Sequence, residues 1–349
     1  MLGLKALATG IGSFPHKDTE SALELIFKYC PQIPFWPQLP KLDIREGMVA
    51  QFSEGLPCIE LTDKGVFFNP EDKEKELEKF YERITANDVD YFKISGDFAL
   101  GLHKFYQRLK KSDLKQIEYI KCQITGPFTF AASIKDEKGI ALLHDPVFMQ
   151  VIIEGLKMKT LWQLKFFKEF GKKIVIFIDE PYLACFGSAY TPINREDVIK
   201  GLTELTKEII KTGTILSGVH CCGNTDWSIF TDINTIDIIS FDAFGFLDKF
   251  ILYADNLKNF INSGRGICWG IVPTNEFTVE ETAELLTRKI KDGLDRLVKK
   301  GLNKNLLLEN MLLSPACGLA TLDTEKSEKI LRVLSGTSSL IRKSFDKAR

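Results

Sequence analysis

The alternation of two residue patterns along this chain limits its fold more than any other feature. Short runs rich in β-branched residues, typical of buried strands, alternate with longer segments whose apolar residues recur every three or four positions, as in amphipathic helices. The predicted strands are Thr9–Ser13, Phe35–Leu39, Lys121–Thr125, Ile174–Asp179, Ile215–His220, Ile236–Asp242, Ile267–Val272 and Leu306–Leu313. Eight strands alternating with helices predict an α/β fold, a single (β/α)8 TIM barrel that forms one domain over residues 1–349.

One segment departs from the barrel pattern, and one glycine-containing segment argues against the alternative fold. Residues of about 49–100 fit the alternation poorly, and we interpret them as a segment of short strands and helix inserted after the second strand. An open doubly wound sheet is the rival layout, but its phosphate-binding turn needs Gly-x-Gly-x-x-Gly. The chain has only Gly10 and Gly12 and continues into Phe-Pro-His, without the third glycine.

Charge and cysteine usage limit the possible partners and the location. The 349 residues include 46 basic and 47 acidic side chains, and this balance argues against nucleic acid or an anionic membrane as the main partner. No run approaches the roughly 18–20 apolar residues of a membrane span, and the first ten residues do not resemble a signal peptide. We therefore expect a cytoplasmic protein whose eight cysteines stay reduced.

The predicted strand ends carry metal-binding residue types. Alternate residues of a strand point the same way, so His220 and Cys222 can reach one metal ion while Cys221 faces away. Cys317, after the last predicted strand, completes a set of one nitrogen and two sulfur donors that suits zinc and leaves a position for substrate. The alternative is that His220 caps a strand end and that the cysteines only pack.

Three carboxylates also follow predicted strands. Asp179 and Glu180 are well placed to hold a substrate ammonium group, although they could instead cap a helix that begins at Pro181. Asp242 has a similar position, and a turn or cap role is an equal alternative for it.

Five short motifs, in order and at predicted strand ends, together resemble the catalytic barrel of cobalamin-independent methionine synthase, in its free-standing core form. This family lies within the wider uroporphyrinogen decarboxylase and methyl-corrinoid methyltransferase superfamily. The motifs are Ile11-Gly-Ser-Phe-Pro15, Thr125-Gly-Pro127, Ile178-Asp-Glu-Pro181, His220-Cys-Cys222 and Pro315-Ala-Cys-Gly-Leu319.

The resemblance implies roles for particular residues. It makes His220, Cys222 and Cys317 zinc ligands that activate a thiol, and it places Asp242 where the family has a glutamate ligand. It also implies that Ile11, Gly12, Ser13 and Asp179 bind the amino-acid substrate, which is homocysteine. The family's other glutamate for the homocysteine amino group has no clear counterpart here, and Gln38 and Asp43 are the candidates.

The methyl donor is inferred from two departures from the family. Phe128–Ala132 lacks the tryptophan of the folate-using enzymes, and Cys268–Thr274 replaces their histidine-containing segment. These changes favour a methyl-corrinoid such as methylcobalamin, carried on a partner corrinoid protein. The sequence thus predicts a zinc-dependent methyltransferase that converts homocysteine to methionine.

Several other functions stay open at this point. The acceptor could be another thiol such as coenzyme M, or the donor could be a folate. A uroporphyrinogen decarboxylase-like enzyme and a non-enzymatic zinc- or corrinoid-binding accessory protein are further alternatives.

Overall fold

Strands in two separate sheets form the framework of this computed structural model, which describes residues 1–188, 191, 193–209, 215–278 and 280–346. The strands are β1 (Leu7–Ala8), β2 (Ile59–Thr62), β3 (Gly65–Phe68), β4 (Tyr119–Thr125), β5 (Lys173–Asp179), β6 (Ile215–Cys221), β7 (Ile238–Phe241), β8 (Gly266–Val272) and β9 (Met311–Pro315).

Helices separate most of the strands. They are α1 (Thr19–Tyr29), α2 (Ala50–Ser53), α3 (Lys73–Thr85), α4 (Leu100–Lys111), α5 (Pro127–Ser133), α6 (Pro146–Phe167), α7 (Arg195–Thr206), α8 (Ser228–Asp232), α9 (Ala243–Ile251), α10 (Ala254–Asn262), α11 (Ala283–Lys299), α12 (Lys304–Glu309) and α13 (Thr324–Asp346). Short 3₁₀ turns are Ile44–Glu46, Leu114–Gln116, Leu142–His144, Lys168–Phe170 and Pro181–Cys185. None of the helices in the described part of the chain is both long and apolar enough to cross a membrane.

The larger sheet is a parallel, curled sheet of seven strands. Its order among the described residues is β1-β9-β8-β7-β6-β5-β4. The extended segment 32–38 lies between the two edge strands, since single parallel bridges join Gln38 to Ser13 and Phe35 to Lys121. Helices follow the strands as in a TIM-like barrel, but seven strands form the regular ladder instead of the predicted eight.

Proline explains why the second predicted strand, Phe35–Leu39, is not part of the ladder. Pro34, Pro37 and Pro40 lack the backbone N–H that a ladder strand must donate, so only isolated bridges form.

Two other strand predictions need correction. The first ladder strand is β1 instead of Thr9–Ser13. The Thr9 N–H still donates to the Leu313 carbonyl at 3.0 Å, and the next residue, Gly10, packs so closely on Phe35 that a Cβ atom would lie 2.1 Å from its ring. The prediction Leu306–Leu313 is wrong in its first half, which is helix α12. The Asn303 side chain caps that helix by accepting from the N–H groups of Asn305 and Leu306.

The insertion has the predicted character of short strands and helix. Strands β2 and β3 form an antiparallel hairpin of their own, with α2 before it and α3 after it. Leu56 and Phe80 from this segment are buried, and a Cβ at Gly155 on α6 would lie 2.2 Å from Leu56. The insertion therefore packs closely on the outer helices of the barrel.

The large sheet has different side-chain layers on its two faces. Cys122 and Ile124 of β4 belong to the main hydrophobic core, which contains the helices. Tyr119 from the same strand belongs to a smaller cluster with Val175 and Phe177, made largely of strand residues. Because alternate residues face opposite sides, this smaller cluster lies on the inner face of the curled sheet.

Lys159 on α6 leads to a prediction about stability. It is fully buried, its Nζ has no hydrogen-bond partner in the described structure, and burial lowers its pKa from 10.5 to about 8. Below pH 8 the folded protein therefore holds a buried charge that the unfolded chain leaves in water. We expect Lys159→Met to raise the free energy of unfolding by on the order of 2 kcal/mol at pH 7.

The pH dependence gives this prediction its sign. Between pH 8 and 10.5, Lys159 is protonated in the unfolded state and largely neutral in the folded state. The free energy of unfolding of the wild type therefore increases with pH in this range, and the stability advantage of the variant becomes smaller. Urea unfolding of both proteins at pH 7 and pH 9.5 measures the difference. A difference that stays constant with pH would contradict a charged, buried Lys159.

Candidate metal centre at the carboxyl ends of the strands

Three predicted metal ligands meet at one edge of the large sheet. His220 lies in β6, Cys222 directly follows that strand, and Cys317 follows β9. One ligand atom from each lies within 4.8 Å of the other two. Strands β6 and β9 are not neighbours in the sheet, so the curvature of the sheet brings Cys317 to the other two residues.

The end of β6 orients its two donors as the strand alternation predicts. Cys221 is buried among apolar residues, and its Sγ contacts the Gly223 carbonyl oxygen at 3.8 Å. His220 and Cys222 therefore share the opposite side, and Cys222 and Cys317 are only partly buried. Both cysteines therefore keep some contact with solvent.

The imidazole of His220 is oriented for a ligand at its second nitrogen. Its Nδ1 lies 2.9 Å from Ser240 Oγ on β7, whereas Nε2 is buried without a hydrogen-bond partner in the described structure. A hydrogen bond to one ring nitrogen commonly fixes a metal-binding histidine and leaves the other nitrogen to the metal. This unpartnered Nε2 beside two thiols fits zinc, whose preferred donors are nitrogen and sulfur.

The two thiols are electrostatically unequal. Hydrogen bonding from the Cys222 thiol, together with electrostatic attraction to the nearby His220 ring, lowers the pKa of Cys317. The same interaction raises the pKa of Cys222. These interactions favour the thiolate form of Cys317. Such thiolate character is what metal ligation requires.

Asp242 lies near the three donors but caps a helix. Its Oδ1 accepts from the Gly245 N–H at 2.7 Å at the start of α9, and burial raises its pKa. Its carboxylate interacts electrostatically with Cys317 and His220. The structure thus shows the cap, and zinc ligation by Asp242 stays a prediction.

Asp179 ends β5 in register with Thr125 on one side and His220 on the other. Its side chain is 7% exposed, and Oδ1 has no hydrogen-bond partner in the described structure. Burial raises its pKa to about 6, although Lys121 and His220 act in the opposite direction. A buried acceptor without a donor, beside the metal-binding residues, is suited to a cationic substrate group.

Glu180 anchors a helix that the sequence did not indicate. Its carboxylate accepts from the N–H groups of Phe128 and Thr129 at 3.0 and 2.9 Å, and from the Thr129 hydroxyl at 2.6 Å. Burial raises its pKa to about 7 and these hydrogen bonds oppose the rise. A Cβ at Gly126 would lie 2.2 Å from Glu180 Oε1, so glycine is required there. The predicted contact of Glu180 with substrate stays untested.

This arrangement predicts that Glu180→Gln affects stability. The glutamine amide nitrogen cannot accept a hydrogen bond, so donors at the start of α5 are left unsatisfied, and we expect the free energy of unfolding to fall by about 1–3 kcal/mol. Urea denaturation measures this loss, with Asp179→Asn as the matched variant because the Asp179 Oδ1 bonds no donor. An equal loss in both variants would argue against the anchor role.

The segment Ile11–Ser13 lies against the loop that carries Cys317. The Ser13 carbonyl accepts from the Leu319 N–H at 2.8 Å, and a Cβ at Gly318 would lie 2.1 Å from Ser13 Oγ. On its other side, the Gly12 carbonyl accepts from the Gln38 N–H at 3.1 Å. The structure therefore brings the predicted substrate-binding segment beside the predicted zinc ligands.

Of the two candidates for the missing glutamate, Gln38 is the buried one. Its Nε2 donates to Gln51 Oε1 at 2.9 Å, whereas Asp43 forms an ion pair with Arg45 at 2.8 Å. The structure shows these contacts and assigns neither residue to substrate.

Two polar residues of the site were absent from the sequence-based prediction. Ser240 is opposite His220 in the β6–β7 register, and Lys121 projects to the inner face of β4. Ser240 is the one polar residue of β7, and Lys121 alternates with Gln123 and Thr125 along β4. Polar residues within a strand that is otherwise apolar on both faces are the signal that could have identified both.

Comparisons with known proteins concern mainly the second half of the chain. Residues 167–337, just under half of the chain, match a family model described as the catalytic domain of cobalamin-independent synthase. The matched region contains Asp179, His220, Cys222 and Cys317 but excludes Ile11–Ser13. These matches support the cobalamin-independent synthase family and do not test the wider superfamily placement.

One curated relative is a methionine synthase from Methanocaldococcus jannaschii, 27% identical over 230 residues, which are 64% of this chain and 65% of the relative. The chain thus spans slightly less than two thirds of that relative's length.

Two solved structures are similar at 19% identity. One is a B12-independent methionine synthase from Shewanella sp. W3-18-1 in complex with selenomethionine, with a TM-score of 0.47 and coverage of 69% of this chain and 67% of the other. The second, from Listeria monocytogenes, is described as a vitamin-B12-independent methionine synthase; its TM-score is 0.41, with 64% of each chain covered.

Proposed function

We propose that this protein is a zinc-dependent methyltransferase of the cobalamin-independent methionine synthase family, and that it methylates the thiol of homocysteine to give methionine. The observation that carries the proposal is the convergence of a His220 ring nitrogen and two cysteine sulfurs within 4.8 Å of one another. The Nε2 of that ring has no hydrogen-bond partner in the described structure. The family match over residues 167–337 supports the same chemistry.

His220, Cys222 and Cys317 would hold the zinc ion. Bound zinc supplies a Lewis acid that favours the thiolate form of a substrate thiol at neutral pH. Ser240 keeps the imidazole oriented through its 2.9 Å contact with Nδ1. The partial exposure of both cysteines leaves an approach for substrate and donor.

The amino-acid end of homocysteine would be held by residues around this centre. The unpartnered Asp179 Oδ1 would accept from the substrate ammonium group. Ser13 and nearby backbone amides would bind the substrate carboxylate, since the Ile11–Ser13 segment lies against the Cys317 loop. Two anchoring points and the metal centre would orient the thiol for in-line attack on the donor's methyl carbon. The bond from the methyl group to the donor would break as the new S–C bond forms, and the demethylated donor would leave.

The identity of the methyl donor is a separate part of the proposal. The sequence favours a methyl-corrinoid on a partner protein, whereas the matched family is described as cobalamin-independent and gives that donor no support. The two segments behind the corrinoid prediction do not decide the matter. Phe128 packs toward Gly201 of α7, and Cys268 is fully buried in the inner cluster of the sheet.

Methionine formation under anoxic conditions tests the proposal. The zinc-loaded protein is incubated with homocysteine and either methylcobalamin or methyltetrahydrofolate, and the product is measured by mass spectrometry. We expect methionine with one donor and none when homocysteine is omitted. Absence of methionine with both donors, in a sample that contains zinc, would contradict homocysteine methylation from either donor.

A further inference from the structure

Lys121 is a charged residue within the curled sheet. It lies within β4 and is completely buried, with 0% accessible surface. Its Nζ lies 5.0 Å from the centre of the Phe177 ring and 5.9 Å from that of Phe35. An ammonium group in such surroundings is costly unless hydrogen bonds and opposite charges compensate.

Part of the compensation comes from the proposed substrate site. Lys121 Nζ donates to the Ile11 carbonyl oxygen and, at 3.1 Å, to Gln123 Oε1. The Gln123 side chain in turn donates to the Trp36 carbonyl at 2.9 Å. Lys121 therefore ties the backbone of the Ile11–Ser13 segment to the inner face of the sheet.

Lys121 also interacts with a second group of the site through space. Its positive charge favours the ionised carboxylate of Asp179, and the carboxylate reciprocally favours the charged lysine. The Ile11 carbonyl is a hydrogen-bond acceptor of the proposed substrate-binding segment, and the Asp179 carboxylate is an acceptor at the residue opposite His220 in the β5–β6 register. Lys121 thus donates a hydrogen bond to one acceptor and favours the ionised form of the other. A substrate ammonium group could bind both acceptors.

We propose that Lys121 is a positioning residue for the amino group of the substrate, fixing the Ile11 carbonyl by a direct hydrogen bond and balancing the charge of Asp179 across the inner face of the sheet. This inference rests on the proposed function, because it presupposes an amino-acid thiol in the site. It assigns to Lys121 no contact with the substrate itself. If Lys121 positions these acceptors, the protein should prefer thiols that carry an amino group.

Lys159 provides a matched control within the same chain. It is likewise fully buried with a lowered pKa, but it lies on α6, outside the sheet, and its main charge interaction is with Glu54. Replacing it also removes a buried ammonium group, yet none of its described interactions involves the proposed site. A general effect of losing a buried lysine would appear in both variants.

The experiment compares Lys121→Met and Lys159→Met with wild type on two thiols, homocysteine and 4-mercaptobutyrate, which lacks only the amino group. We expect Lys121→Met to raise the KM for homocysteine by about tenfold or more, the loss typical of a hydrogen bond to a charged group. Its kinetics with 4-mercaptobutyrate and its zinc content should match wild type. Lys159→Met should match wild type with both thiols.

Three outcomes would overturn the inference: an unchanged or lower KM for homocysteine, an equal loss with both thiols, or loss of zinc from Lys121→Met. If that variant does not fold, Lys121→Gln is the second test, because its amide retains a donor without the charge. A rise in KM for homocysteine alone is again expected, smaller than that of a variant without the donor. Failure of both variants to fold would make Lys121 a structural residue and also overturn the inference. A wild-type protein that neither binds nor methylates homocysteine would instead refute the proposed function.

Discussion

Replacing Cys222 or Cys317 by serine is expected to abolish zinc binding and methyl transfer together. Each sulfur is one of only three donor atoms in the cluster, and a serine hydroxyl is a poor substitute for a thiolate with zinc. Mutation of residues that merely support a metal ligand costs about 10–100-fold in affinity, so we expect a loss of more than about 100-fold here. Zinc content after dialysis and the rate of methionine formation are the measurements.

Cys221→Ser is the control for these two variants. Cys221 adjoins Cys222 in sequence, but it is buried on the opposite side of the strand end and contacts the Gly223 carbonyl. We expect this variant to keep zinc and activity with at most some loss of stability. Full retention of zinc by both Cys222→Ser and Cys317→Ser would refute the assignment of ligands.

The second large effect is expected at Asp179. Asn in its place keeps the shape but removes the charge, and the loss of one member of a buried charge pair costs about 2–5 kcal/mol. We therefore expect Asp179→Asn to lower kcat/KM for homocysteine by about 100-fold, since 1.4 kcal/mol corresponds to about a factor of ten. Steady-state kinetics in the presence of saturating donor measure this change.

The selectivity of the Asp179 effect is its decisive feature. With 4-mercaptobutyrate, which has no ammonium group, wild type and Asp179→Asn should react at similar rates. Zinc content should also be unchanged, because Asp179 is outside the three-residue cluster. Equal losses with both thiols would mean that Asp179 supports the fold of the site and does not bind the amino group.

The positions of the five strands β4 to β8 could be predicted from runs of β-branched residues. The side on which His220 and Cys222 project could also be predicted, because it depends on the two-residue period of a strand. The proximity of Cys317 could be anticipated only through the barrel prediction, since β6 and β9 are separated by two strands in the sheet. Curvature of the sheet, a property of the whole fold, brings the third donor into place.

Other features depended on contacts that sequence spacing does not reveal. Glu180 was expected either to bind substrate or to cap a helix beginning at Pro181, yet it caps α5, whose Thr129 is 51 residues earlier. The Leu306–Leu313 run is apolar enough for either a strand or a helix, and the Asn303 cap favours helix α12 for its first half. By contrast, the three prolines of 34–40 were visible in the sequence and could have excluded a regular strand there.

X-ray absorption at the zinc edge, before and after addition of homocysteine, tests the central claim most directly because it needs no methyl donor. The account predicts zinc bound by one histidine nitrogen and two sulfur atoms, with a third sulfur in the zinc coordination shell once homocysteine is present. A protein that binds no zinc, or whose zinc keeps the same number of sulfur ligands while homocysteine is bound, would contradict thiol activation at His220, Cys222 and Cys317.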